Sequence, residues 1–314
     1  MWRKNRYIYR SRRKFNRERI AIFVIAVISA SMFVCQIRVN RANKHKNKIF
    51  EEQTIEVAAK LEEDKEREKE EQIKQEQERK AKMKANQRKA EYSLTAEDMD
   101  NLNNIYKSDN KRVFLTFDDG PSSSVTPRIL DLLKEEDIKA TFFVLGTQVE
   151  ANPELVKREY EEGHAIANHG YTHKYSEIYA SEQNVFDEFN KTQDAVRNAL
   201  GNDKFNSNFF RFPGGVPGGV YNSLKRQARD ELANRNVYSI DWNCLSKDAE
   251  GAKTTEDLIS NIKTTAGQKN SVVALMHDAA GKILTYESLK DVINYFRDSG
   301  YEFKTLYDLV SEKD

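Results

Sequence analysis

Cysteine is nearly absent from this 314-residue sequence, and its scarcity excludes two kinds of architecture. One cysteine, Cys35, lies inside an apolar run, and the other, Cys244, lies far along the chain, so we do not expect the two to pair. A disulfide framework or a cysteine-rich zinc site needs more thiols than these. We therefore expect a fold that depends on a hydrophobic core, and we interpret Cys244 as a packing residue.

The sequence also lacks a net charge of either sign. Lysine and arginine together number 51 and aspartate and glutamate 50, which gives a formal net charge of +1. Such a balance provides no overall attraction to nucleic acid, and we predict no nucleic-acid partner. The low mean hydropathy comes mostly from the first hundred residues. From about Lys111 onward the chain has the apolar content of a globular domain and about 200 residues in which to bury a core.

One segment, residues 20–37, lacks charged residues altogether. As a helix of about 1.5 Å per residue it would span about 27 Å, which suits the hydrocarbon core of a bilayer. A buried core helix and a cleavable signal peptide are the alternatives. Basic residues rather than a small-residue cleavage site follow the segment, which favours an uncleaved anchor. The nine basic residues before it predict a cytoplasmic N-terminus, and so a single-pass cell-membrane protein with its C-terminal domain outside the cell.

Residues 50–91 contain too few apolar side chains for sustained coiled-coil heptads. They are rich in Glu, Lys, Gln, Arg and Ala, with many opposite charges three or four positions apart, which favours a solvated helix. We interpret this segment as a helical stalk or a partly disordered spacer. The predicted organisation is a basic cytoplasmic tail (1–19), a transmembrane anchor (20–37), a charged stalk (38–100) and a folded domain (101–314).

From residue 112 onward, short apolar strands alternate with amphipathic helices. The predicted strands are Val113–Phe117, Ala140–Gly146, His164–Asn168, Asn208–Phe212, Val237–Trp242 and Ser271–His277. The predicted helices are Thr126–Glu136, Pro153–Glu162, Glu182–Leu200, Tyr221–Asn234, Thr255–Thr265 and Leu284–Ser299. Repeated strand-then-helix units predict an α/β fold with a parallel sheet, either open or closed into a barrel.

Histidine is scarce too, and three of the five histidines fall at or just past predicted strand ends. His169 and His173 are four residues apart, so in a helical turn both rings would lie on one face and could share a cation. Two imidazoles and one carboxylate leave positions open for water and substrate, as in a catalytic zinc site. The neighbouring pair Asp118 and Asp119 could supply that carboxylate and a base. The alternative interpretation is an acidic turn with ordinary loop histidines; His164 and His45, which have no evident partners, are interpreted as surface groups.

Residues 112–310 resemble the polysaccharide deacetylase family, carbohydrate esterase family 4, whose shared region is the NodB homology domain. Five segments match in order: TFDDGP (116–121), HGYTH (169–173), RFPGG (211–215), IDWNCLSKDA (240–249) and LMHD (275–278). The resemblance implies that the α/β fold is a distorted (β/α) barrel of the NodB type. It also implies metal-dependent removal of N-acetyl groups from a polysaccharide.

The resemblance further implies a role for each matching residue. Asp119, His169 and His173 would bind one divalent metal ion, usually zinc in this family, with cobalt or nickel as alternatives. Asp118 would be the general base and His277 the general acid. The remaining site residues would be Arg211, which orients Asp118; Asp248, which tunes His277; Gly214, whose N–H stabilises the oxyanion; and Leu275 and Trp242 at the substrate.

Three positions depart from the family pattern. Gly170 stands where serine or threonine is common, Gly214 where some relatives have tyrosine, and Ala249 where some have an aromatic residue. An aromatic wall of the substrate groove is therefore missing or supplied from elsewhere. The RFPGG form resembles bacterial peptidoglycan deacetylases, so we expect a cell-wall polysaccharide as substrate, with peptidoglycan N-acetylglucosamine favoured. Poly-N-acetylglucosamine, chitin or acetylated xylan, and an inactive wall-binding protein, are the alternatives.

Overall fold

The computed structural model describes residues 60, 62–78, 80–81 and 93–310. The described residues before 82 are helical and mostly exposed, as the charge pattern indicates for a solvated helix. The chain divides into two compact units, Met1–Glu76 and Gln77–Asp314. The predicted tail and apolar span, with Cys35 and His45, lie outside the described residues, and the four-part domain division stays a prediction.

The prediction of a single-pass protein of the cell membrane is contradicted. In the ranges that the structure describes, no helix combines the length and the apolar character needed to cross a membrane.

In the second unit, the described residues from 93 onward form an α/β fold with nine α-helices and eight strands. The strands are β1 (Arg112–Asp118), β2 (Thr141–Val144), β3 (Ala165–Asn168), β4 (Phe209–Phe210), β5 (Tyr238–Ser239), β6 (Cys244–Leu245), β7 (Ser271–His277) and β8 (Glu302–Lys304). The helices are α1 (Ala96–Asn103), α2 (Thr126–Glu135), α3 (Gly146–Ala151), α4 (Pro153–Glu161), α5 (Tyr175–Ile178), α6 (Glu182–Leu200), α7 (Asn222–Asn234), α8 (Thr255–Ala266) and α9 (Ile283–Asp298). A 3₁₀ turn, Leu306–Leu309, follows β8.

All strand pairs are parallel, and the order along the sheet is β5-β4-β3-β2-β1-β7-β6. One edge of β1 pairs with β7 along its whole length. Its other edge is shared, because β8 pairs with residues 112–114 and β2 with residues 116–118. The parallel sheet confirms the predicted fold class. The closed barrel is not observed: the order ends at β5 and β6, so the described sheet is a curled half-barrel.

The core lies on both faces of the central strands. In β1, every residue after Arg112 is buried, and β2 and β3 are buried throughout, which is the pattern of parallel strands covered by helices on both sides. The residues just before β1 join this core through Leu94, Leu102 and Ile105. A second apolar cluster packs α5, α6 and α7 around Phe210 and Phe212. These two clusters give the carboxyl ends of the strands a rigid base.

Candidate active site

The carboxyl ends of β1, β3, β4 and β7 bring the predicted site residues together. Asp118 ends β1, and in the sheet register it lies directly beside His277, which ends β7. His169 follows β3 and Arg211 follows β4, and these strands pair through Asn168 and Phe210. In a parallel sheet such loop positions converge at one edge, so residues from four motifs share one site.

Asp119, His169 and His173 form a cluster that could hold a metal ion. Their candidate ligand atoms all lie within 4.8 Å of one another. The Asp119 Oδ1 atom is 3.4 Å from Nε2 of each histidine. This oxygen is buried and has no hydrogen-bond partner within the described residues, which fits an atom meant for a cation. The donor set of two nitrogens and one oxygen suits a catalytic zinc-type site.

The local conformation that produces this cluster is unusual. The helical turn assumed for HGYTH is not observed, because residues 169–173 form an irregular bend. His173 has a φ of 60° and Asp119 a φ of 72°, a left-handed conformation that is uncommon for residues other than glycine. The two rings nevertheless meet, with centroids 5.3 Å apart. Backbone strain of this kind is concentrated at functional sites, where surrounding contacts maintain it.

The orientation of His169 is set by a backbone carbonyl. Its Nδ1 atom lies 2.7 Å from the Arg211 carbonyl oxygen, which can only accept, so Nδ1 carries the proton. The lone pair of Nε2 is therefore directed at Asp119 and is available to a metal. The pKa of His169 is lowered to about 3, mainly by burial; the nearby His173 and Arg211 act in the same direction, and Asp119 opposes them. The ring is thus neutral, as a ligand must be.

Asp118 is a buried carboxylate held by Arg211. Its Oδ1 accepts a hydrogen bond of 2.7 Å from Arg211, and its Oδ2 lies 3.7 Å from His169 Nε2. Burial raises the pKa of Asp118, although the Arg211 and His277 charges offset part of this effect. The carboxylate is therefore fixed beside the candidate metal ligands and is a better proton acceptor than an exposed aspartate.

Arg211 is fully buried and its guanidinium has an acceptor on each nitrogen. It donates to Asp118, to the Thr116 hydroxyl (2.8 Å) and to the carbonyls of Ile240 (3.0 Å) and Asp241 (3.2 Å). The guanidinium carbon also lies 3.9 Å from the centroid of the Phe143 ring. Arg211 thus links β1 to the segment after β5, although these two strands are not neighbours in the sheet.

Asp248 and His277 form a second hydrogen-bonded pair. His277 Nδ1 lies 2.8 Å from Asp248 Oδ1, while the His277 N–H (2.7 Å) and the Thr285 hydroxyl (2.8 Å) donate to Oδ2. Burial alone would lower the pKa of His277. The Asp248 carboxylate overrides burial, together with Asp118 and Asp119, and the pKa of His277 is raised to about 9. At neutral pH the ring is protonated, with Nε2 4.0 Å from Asp119 Oδ2.

The three residues predicted at the substrate lie around this group. Gly214 is exposed in the turn after Arg211, with a φ of 74°, and its N–H donates to no other group in the described ranges. Trp242 is half-buried beside Gly215, since a Cβ at Gly215 would lie 3.1 Å from the indole ring. Leu275 is buried on β7, two residues before His277, so both face the same side of the sheet.

Sequence reasoning missed two residues beside the site. The Asp241 carboxylate accepts from the Val216 N–H (3.2 Å) and its carbonyl binds Arg211, so it supports the turn that contains Gly214. The Tyr175 ring lies 5.7 Å from that of His173. Two features of the sequence could have indicated them. Asp241 directly precedes Trp242, and Tyr175 is an aromatic residue two positions after the predicted ligand His173.

Of the remaining titratable side chains, one lies differently from expectation. His164 was interpreted as a surface group, and this is wrong: it is 1% exposed, and its Nδ1 accepts from the Ala140 N–H. Asp278 follows His277 but its carboxylate lies against Gly120, where a Cβ would overlap it, and accepts from Thr126 (2.5 Å). Burial raises the pKa of Asp278 to about 7. Asp278 therefore supports the TFDDGP turn. Cys244 is buried, as a packing residue would be.

The sequence and the fold match those of known proteins over the same region. A sequence profile described as polysaccharide deacetylase matches residues 106–237. A peptidoglycan-N-acetylglucosamine deacetylase of Bacillus cereus is 30% identical over 208 residues, which are 65% of this chain and 90% of that protein. This chain belongs to the polysaccharide deacetylase family, carbohydrate esterase family 4.

Two other similarities extend the comparison. The peptidoglycan-N-acetylglucosamine deacetylase PgdA of Listeria monocytogenes is 40% identical over 204 residues. These cover 65% of this chain but only 40% of PgdA, so the chain matches less than half of that longer protein. The structure of a Streptococcus mutans CE4 esterase superposes with a TM-score of 0.60 at 31% identity, covering 69% of this chain and 93% of the other. The family enzymes are metal-dependent, and the Asp119–His169–His173 cluster is the matching candidate site here.

Proposed function

We propose that this protein is a metal-dependent deacetylase that hydrolyses N-acetyl groups of a cell-wall polysaccharide, with N-acetylglucosamine of peptidoglycan as the substrate. The observation that carries the proposal is the meeting of three arrangements at one sheet edge. These are the Asp119–His169–His173 cluster, the Asp118–Arg211 pair and the Asp248–His277 pair. The names of the Listeria and Bacillus relatives support the choice of sugar.

Asp119, His169 and His173 would hold the metal, for which zinc is the proposal and cobalt or nickel the alternatives. When bound, a divalent cation there supplies Lewis acidity at the acetamide carbonyl. The chain itself contributes a neutral His169 with its lone pair directed at Asp119. It also contributes the Oδ1 atom of Asp119, which has no hydrogen-bond partner among the described residues. The candidate ligand atoms are therefore already oriented for metal binding.

Asp118 would accept the proton of the attacking water. Arg211 keeps its carboxylate in place, and burial makes it more basic than an exposed aspartate. The exposed N–H of Gly214 would donate to the oxyanion that develops as water attacks the carbonyl. His277, protonated through its contact with Asp248, would then donate a proton to the departing sugar amine. Base and acid thus approach the acetamide from two different strands.

Acetate release is the direct test. We would incubate the metal-loaded protein with peptidoglycan fragments, chitin oligomers and acetylated xylan, with and without chelator, and identify products by the mass lost as one acetyl group. We expect release from the peptidoglycan fragments, abolished by chelator, and a loss of at least about a hundredfold in Asp118→Asn. Release from chitin or xylan alone would reassign the polymer. Wall binding without release, equal in wild type and Asp118→Asn, would instead indicate an inactive binding protein.

A further inference from the structure

Tyr175 connects the metal-ligand loop to the turn that contains Gly214. It is the first residue of α5, two positions after His173, and its ring centroid lies 5.7 Å from that of His173. Its hydroxyl reaches across to Gly214, where a Cβ would overlap the hydroxyl oxygen and lie 3.2 Å from the ring carbon that bears it. The side chain therefore occupies the space that a side chain at position 214 would fill.

The Tyr175 ring rests on a rigid base. It packs edge-on against Tyr179, with centroids 5.5 Å apart, and against Tyr221 at 6.5 Å. Tyr179 is buried and donates a hydrogen bond of 2.7 Å to the Pro213 carbonyl oxygen. Lys225 donates to the Gly215 carbonyl and lies over the Tyr179 ring. The residues beneath the Tyr175 ring are thus hydrogen-bonded to the carbonyls on both sides of Gly214. These contacts fix the position of the ring relative to the turn.

A purely structural role does not account for the exposure of this side chain. Tyr175 is 42% exposed, one of few large apolar or aromatic side chains left open among the described residues. Its hydroxyl makes no hydrogen bond with any other described residue. An aromatic face and a free hydroxyl beside Gly214 provide what a sugar ring needs: a flat apolar surface and a polar group that can donate or accept.

We propose that Tyr175 is a substrate-positioning residue whose ring and hydroxyl form the wall of the sugar site beside Gly214. This inference rests on the proposed deacetylase function and names the group that replaces the aromatic residue found at position 214 in some relatives. The ligand class is an N-acetylated amino sugar, whose ring would stack on Tyr175 while a hydroxyl or the acetamide binds its phenol. Gly214 and Tyr175 then form a coupled pair, because a side chain at 214 would displace the phenol.

The test compares Tyr175→Phe and Tyr175→Ala with wild type on whichever substrate releases acetate. Loss of one hydrogen bond predicts a KM raised about three- to tenfold in Tyr175→Phe with kcat little changed. Loss of the ring as well predicts a larger increase in Tyr175→Ala. Zinc content should equal that of wild type in both variants. Tyr295→Phe, on α9 far from the site, is the matched control and should change neither constant.

A double-mutant cycle tests the coupling. Gly214→Ala should reduce kcat/KM severely in the wild-type background, because its Cβ overlaps the Tyr175 hydroxyl. In the Tyr175→Phe background the oxygen is gone, so the same change should cost less, while the backbone strain of a φ of 74° is common to both and cancels. Additive effects, or an unchanged KM in Tyr175→Phe, would overturn the proposal. So would a loss of zinc or of thermal stability that accounts for the kinetic change.

If wild type releases acetate from no substrate, the proposed function fails and the role of Tyr175 is decided by binding alone. Calorimetric titration of the zinc-loaded protein with chitin oligomers would then show weaker binding by Tyr175→Phe and Tyr175→Ala than by Tyr295→Phe. Equal binding by all three, or no binding by wild type, would overturn the inference. The two failures are therefore distinguishable.

Discussion

At the scale of single residues, Arg211 shows how the site tolerates a buried charge. A guanidinium removed from water is costly unless every donor is satisfied, and here each nitrogen has an acceptor and the plane lies on Phe143. Lysine could not replace it, because a point charge with one nitrogen cannot reach acceptors on β1 and after β5 together. The same side chain that positions Asp118 therefore also links β1 to the segment after β5, which is not its neighbour in the sheet.

The Asp248–His277 pair makes a prediction about pH. Asp248→Asn keeps an acceptor for His277 but removes the negative charge that keeps the pKa of His277 near 9, and burial then lowers that pKa. Because the proposed general acid must be protonated, the alkaline limb of the kcat/KM profile should move to lower pH. The profile of Asp291→Asn, an exposed residue on α9, should match wild type. A uniformly lower rate with an unmoved limb would contradict this role for Asp248.

His164 makes a prediction about acid stability. Burial lowers its pKa to about 3, with Lys139 and Arg158 acting in the same direction, while Glu162 lies at 4.0 Å. The unfolded chain binds a proton near pH 6.5 and the folded chain does not. Stability from this group is therefore complete above pH 6.5 and falls as the pH decreases toward 3, by up to about 1.4 kcal/mol per pH unit.

The variant that isolates this effect is His164→Asn, which can still accept from the Ala140 N–H but cannot be protonated. It should be less stable at pH 7, because it loses the packing of the ring against Phe142, yet its stability should decrease less on acidification. Urea unfolding at pH 7, 6 and 5, with chelator present throughout, measures both slopes. Parallel slopes for the two proteins would show that His164 does not titrate in this way.

At the scale of elements, helix α8 has a capping box that can be tested. The Thr254 hydroxyl accepts from the Asp257 N–H (3.1 Å), and the Asp257 carboxylate accepts from the Thr254 N–H (3.1 Å). Thr254→Ala should lower the free energy of unfolding by about 1 kcal/mol. Thr264→Ala, exposed near the end of the same helix, should be neutral or slightly stabilising. Equal effects of the two changes in urea unfolding would refute a capping role.

The elements also show what the sequence could and could not predict. The strand Ser271–His277 and the helix Glu182–Leu200 have the predicted bounds, because a long apolar run and a long periodic segment each determine one structure. The strand predicted at 140–146 is shorter, since α3 begins at Gly146, and α3 itself has too few residues to show a helical period. Strands of two residues, such as β4 and β5, leave no pattern from which to read their bounds.

The identity of the site residues was easier to predict from the sequence than their backbone conformation. The spacing of the histidines suggested a shared cation, and the family resemblance implied Asp119 as the third ligand, yet the helical turn assumed for the histidines is a bend with His173 at a φ of 60°. Sequence spacing limits how far apart two ligands lie, whereas backbone dihedrals depend on tertiary contacts. Tyr175 and Asp241 were missed for a related reason, because both act across loops that only the folded sheet brings together.

At the scale of the whole molecule, the candidate metal site combines residues that follow two strands that are not adjacent in the sheet. Asp119 follows β1, and His169 and His173 follow β3, with β2 between them. Unfolding of the sheet would separate these candidate ligands. A metal ion that binds all three would therefore bind the folded chain much more tightly than the unfolded chain. Repeated strand–helix units could not reveal this arrangement, since they left open both the strand order and the closure of the sheet.

Metal binding should therefore stabilise the fold, independently of any activity. A ligand present at about a hundred times its Kd adds about 2.7 kcal/mol to the free energy of unfolding. We expect zinc to raise the urea midpoint of wild type and chelator to reverse it. His173→Ala, which alters a proposed ligand whose side chain is 33% exposed and so leaves little cavity, should lose the response. His277→Gln should retain it, because His277 lies outside the three-residue cluster. An unchanged urea midpoint of wild type on addition of zinc would contradict the proposed site. A zinc response that His173→Ala retains would place the ion elsewhere.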